Sequence, residues 1–132
     1  MSQDNVEIIE RAIAAINARD LDGYLACCTE DIELHTPLAA LGGVYVGADG
    51  IRQFMVDIEE AAPDFGLDLQ RAEAVGADQI VASVRTSSTG RTSGIPLGFD
   101  STNVYDFADG RIKRVRIFRD RQEAHKAVGL AG

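Results

Sequence analysis

The 132 residues carry a formal net charge of −8 and a sequence pI near 4.6, a length that suits one domain over 1–132 and a charge that sets an acidic surface against phosphates. Nucleic-acid and membrane partners are therefore not expected. With 45% hydrophobic and 26% charged residues the composition is that of an ordinary globular chain, the opening MSQDNVEIIERAIAA has acids where a secretory leader needs bases, and no apolar run reaches membrane-spanning length.

Val6, Ile9, Ile13 and Ile16 recur at helical spacing around Ala12, and Asp4-x-x-Glu7 has capping-box spacing, which predicts an amphipathic helix from about residue 5 to 18. Asp20 is placed to cap a shorter helix through Tyr24 and Leu25 to the cysteines. Cys27 and Cys28 are neighbours, poorly placed to bridge each other. A reduced, cytoplasmic setting is therefore expected, and with His35 and His125 the only imidazoles and no Cys spacing of a zinc site, neither metal nor cofactor is expected.

Between Asp31 and Pro37 the period changes to two, predicting a strand with Ile32, Leu34 and Thr36 on one face and Glu33 and His35 on the other. A short strand at Val44 to Val46 follows. A helix starting near Ala48 then shows Ile51, Phe54, Met55, Ile58 and Ala62 on one stripe, closed by Pro63. From Phe65 onward strands dominate. Leu67, Leu69 and Ala72 to Val75 lead to a turn at Gly76-Ala77-Asp78, and Gln79 to Ser88 answers with Ile80, Ala82, Val84 and Thr86 on one face. Gly90 to Gly98 reads as a loop. Ser101 to Asp120 reads as two long strands around a type I′ turn at Asp109-Gly110. Alternation sets Ser101, Asn103, Tyr105 and Phe107 together, and a tail helix follows Asp120, which has capping-box spacing to Glu123.

Helices gathered early and consecutive hairpins late predict an α+β fold with an antiparallel sheet. The run IERAIAAINARDLDGYLACCTEDIELHTP, the helix start GADGIRQF and the ending DGRIKRVRIFRDRQEAHKAVG resemble the nuclear transport factor 2-like superfamily. Within it, the resemblance points to the SnoaL-like polyketide cyclase group and the steroid Δ-isomerases. The resemblance covers essentially the whole chain and implies a cone-shaped α+β barrel, its curved antiparallel sheet wrapped around the N-terminal helices. It says less about activity, because this scaffold hosts isomerases, cyclases, epoxide hydrolases, dehydratases and binding proteins.

Matched to the steroid isomerases, the general base falls on Thr36 and the two oxyanion donors on Ala12 and Asn103. All three catalytic groups are missing, so that route is not expected. Matched to the polyketide cyclases, the acid/base falls on Asp120, although an Asp at a helix start with Glu three residues later is more often a cap than a catalyst. The resemblance makes the Asn103 face the inner one, where Asn103 and Tyr105 could donate to a substrate carbonyl. His35 is a further acid/base candidate, and Arg119 would pair with an anionic group at the mouth. Tyr24, Leu34, Thr36, Phe54, Met55, Val84, Val115 and Ile117 would line the interior. The opposite face carries Arg85, Arg114, Arg116 and Phe118 and suits a homodimer, as in relatives.

Three readings follow. One is a cofactor-independent isomerase, cyclase or lyase moving a proton on a small hydrophobic carbonyl compound. The others are a binding protein using the same cavity, and a dimeric interaction module.

Overall fold

The computed structural model describes residues 2–36, 44–61, 64–87 and 99–128. The chain runs α1 (Ser2–Ala18), α2 (Leu21–Ala26), β1 (Cys28–His35), β2 (Val44–Val46), α3 (Gly47–Ala61), β3 (Gly66–Ala74), β4 (Gln79–Ser87), β5 (Phe99–Ala108), β6 (Arg111–Phe118) and α4 (Arg121–Ala127). Among the described residues six strands form one sheet in the order β2-β1-β6-β5-β4-β3. Every neighbouring pair is antiparallel except β1 and β6. That one parallel pair departs from the all-antiparallel expectation, and it is possible because the whole meander separates the two strands in sequence.

The predicted helix stripes are the buried ones. Ile9, Ala12, Ile13 and Ile16 of α1 and Ile51, Phe54, Met55 and Ile58 of α3 pack against the inner sheet face with Ile80, Val84, Tyr105, Ile112 and Val115. The α1 start differs from expectation. The helix begins at Ser2, so Asp4 lies in its first turn, where its charge favours the helix dipole without capping. Asp20 does cap α2, accepting from the Gly23 amide at 3.0 Å. Cys27 is the C-cap of α2 and Cys28 opens β1; both thiols are free and buried.

The β5–β6 hairpin turns where Asp109 and Gly110 take φ values of 53° and 76°, the left-handed pair that a type I′ turn requires. A register shift between Leu69 and Arg71 in β3 explains why its apolar positions change parity between Leu69 and Ala72. On the outer face, α4 seats Ala124 against Val81 and Val104, so part of the surface expected for a homodimer is already covered. Beside it Asp106 is buried and pairs with Arg114 at 2.8 Å and Arg116 at 3.4 Å. No helix among the described residues is long and apolar enough to cross a membrane. Pro37, Ala62 with Pro63, and the Gly90–Gly98 loop lie outside the described residues.

Candidate functional site

Curling the sheet over α1, α2 and α3 leaves a narrow cavity of about 40 Å³. Its wall is mostly aliphatic and aromatic, from Ala12, Ile13 and Ile16 of α1 to Val115 and Ile117 of β6. Into this apolar lining project Tyr24, Ser101, Asn103 and Tyr105, all buried, with Thr36 and Thr86. Strand alternation explains the placement, since Ser101, Asn103 and Tyr105 stand on one face of β5 opposite Val84, Ala82 and Ile80 of β4.

These polar groups form a short chain. Ser101 Oγ donates to Asn103 Oδ1 at 2.9 Å, and Asn103 Nδ2 donates to Tyr105 Oη at 3.5 Å. The carboxamide oxygen is thus occupied, and its amino group faces the phenol. Among the described residues neither Tyr105 nor Tyr24 donates its hydroxyl hydrogen to a protein acceptor. Burial pushes the Tyr105 phenol up to about 12, against a smaller opposing effect of the Asn103 hydrogen bond. Burial also holds Tyr24 well above the ordinary tyrosine value, with the neighbouring Cys28 and Tyr105 adding to it. Both phenols therefore stay protonated through neutral pH and offer O–H donors to the cavity.

The sequence-based candidates divide sharply. Tyr24, Leu34, Thr36, Phe54, Asn103, Tyr105, Val115 and Ile117 meet at the cavity. Met55 and Val84 do not line it; they are buried in the surrounding core. Asp120 is exposed and lies outside the cavity wall, and its Oδ1 accepts from the Gln122 amide at 2.8 Å as the N-cap of α4. His35 points to the outer face, where its Nε2 lies 2.9 Å from Glu33 Oε1. Arg119 is exposed and sits at the rim in two outer grooves, not in the cavity. Alternation already set His35 opposite Thr36; at Asp120 the capping geometry takes the carboxylate.

Two residues do more at the cavity than the sequence pattern assigns them. Ser101, which fixes the Asn103 amide, was signalled only by its i, i+2 spacing. Tyr24, expected as apolar lining, is also a donor, because its buried phenol has no protein acceptor among the described residues. No described cluster of His, Cys, Asp or Glu could hold a metal ion.

Residues 9–115 match the SnoaL-like domain family. No curated protein sequence matches the chain. Among solved structures, an uncharacterised cystatin-fold protein from Novosphingobium aromaticivorans is 28% identical, with a TM-score of 0.71 over 87% of this chain and 97% of that one. TerC, co-crystallised with polyporic acid, is 24% identical, with a TM-score of 0.78 over 95% and 98%. RV0760c from Mycobacterium tuberculosis, solved with estradiol-17beta-hemisuccinate, is 14% identical, with a TM-score of 0.75 over 90% and 95%.

Proposed function

The chain belongs to the SnoaL-like domain family, and from that premise we propose that it binds a small apolar carbonyl compound within the cone. The carbonyl oxygen is held by hydrogen bonds from Asn103 Nδ2, Tyr105 and Tyr24. One observation carries this reading: among the described residues the apolar cavity wall offers buried amide and phenol donors but no carboxylate, imidazole or amine. Donors without a base suit recognition of a neutral acceptor and polarisation of a carbonyl. They do not suit abstraction of a proton near neutral pH.

Segments 37–43 (PLAALGG) and 88–98 (STGRTSGIPLG), which adjoin the strand ends, contribute no Asp, Glu, His or Lys in sequence. The proton-transfer enzyme built on Asp120 thus has its acid committed to the cap of α4. His35, the other acid/base candidate, is on the far side of the sheet from Asn103. The ligands of TerC and RV0760c, polyporic acid and estradiol-17beta-hemisuccinate, are oxygenated carbon skeletons and agree with a carbonyl-bearing guest here.

A ligand of drug size needs roughly 300 Å³ or more, so entry into the 40 Å³ space requires its walls to part. Calorimetric titration with 4-butylacetophenone and with butylbenzene tests the proposal. The ketone is expected to bind about tenfold more tightly than the hydrocarbon, equivalent to one net hydrogen bond. Asn103→Leu is expected to erase most of that preference. Equal affinity for the two probes in the wild-type protein sinks it.

A further inference from the structure

We propose that the groove at the rim, where β1 and β6 end, receives a single carboxylate carried by the cavity's ligand. The ligand class is then an apolar ketone with one acidic arm, and this inference rests on the carbonyl-binding reading above. Thr36 and Ile117 line both the inner cavity and this outer groove of about 480 Å³, which makes the two spaces adjoin at one edge. His35 and the charged Arg116, Arg119 and Glu123 stand on the groove's wall.

Arg116 provides the decisive feature. Its Nε is buried with no hydrogen-bond partner among the described residues. Its Nη2 reaches Asp106 Oδ2 only at 3.4 Å, whereas Arg114 Nε takes the same oxygen at 2.8 Å and Gln79 takes Oδ1 at 2.6 Å. One carboxylate therefore serves two guanidinium groups and an amide, and Arg116 receives the smallest share. The Nε lies too deep for a groove ligand to touch, but the side chain is 20% exposed, and the planar fork of an under-compensated guanidinium is shaped for carboxylate oxygens. Arg119 adds positive charge on the same wall. Glu123 lines the groove as well, and Glu33 already engages His35. Those two acids limit the site to a monoanion by repelling a second negative charge.

The test compares 4-(4-acetylphenyl)butanoate with its methyl ester, which presents the same ketone without the charge. In wild-type protein at low salt the acid is expected to bind about tenfold more tightly than the ester. Arg116→Met and Arg119→Gln should each shrink that ratio, and added salt should do the same. If Arg116→Met fails to fold, Arg119→Gln and the salt dependence still read the effect. Ester binding equal to acid binding overturns the carboxylate site and leaves the carbonyl reading intact. An acid preference that neither variant nor salt alters also overturns the site. Silence from both compounds overturns both readings.

Discussion

Ser101 Oγ lies 2.9 Å from Asn103 Oδ1 and donates to it, so a hydroxyl two residues away decides which end of the carboxamide is free to meet a ligand. Without that donor the amide could rotate and present its oxygen to the cavity, repelling a carbonyl. Ser101→Ala should therefore weaken 4-butylacetophenone binding by about threefold to tenfold and leave butylbenzene binding unchanged. Titration of both probes checks this, and an equal loss for both would mean that the wall, not the amide, had moved.

The carboxylate of Asp120 accepts from the Gln122 amide, and its exposed position assigns it to α4 alone. Asp120→Ala should cost about 1 kcal/mol of stability, the usual worth of an N-cap, measurable by urea denaturation. Ketone affinity should not change, whereas a tenfold fall would return Asp120 to the binding site.

The contrast between Asn103 and Asp120 explains how far the sequence could be read. Strand alternation is strictly periodic, so the face holding Ser101, Asn103 and Tyr105 follows once the hairpin is placed around Asp109-Gly110. At Asp120, capping and catalysis ask for the same residue type, and only coordinates separate them. The shift between Leu69 and Arg71 breaks the period with no distinctive residue to announce it. The parallel pairing of β1 with β6 is a long-range contact with no local signature, yet it seats Leu34 beside Val115 in the cavity wall.

Burial of the phenols has a consequence for alkaline stability. Tyr105 is pushed from an ordinary value of 10.0 up to about 12, so the unfolded chain ionises first as pH rises. The unfolded state then binds fewer protons than the folded one, and stability falls with pH. The loss should begin near pH 10, run through about pH 12 and be enlarged by Tyr24, which shifts in the same direction. Tyr105→Phe should flatten part of that slope in denaturation curves taken across this range. A slope identical to wild type would show that Tyr105 ionises without resistance.

Ala12 offers the cleanest separation between cavity and fold. It is 2% exposed on α1 and forms part of the wall that faces Asn103 and Tyr105. Ala12→Leu would place three more carbons against a space of about 40 Å³, while preserving the apolar stripe and the helix propensity of α1. Overfilling a packed interior costs about 1–3 kcal/mol, and the empty space takes up some of that strain, so the variant should fold with a modestly lowered denaturation midpoint. Ketone and hydrocarbon should then lose affinity together, by about tenfold or more, because the volume and not the donors has been removed. Retained binding of both probes in folded Ala12→Leu would place their site elsewhere, outside the reach of Asn103.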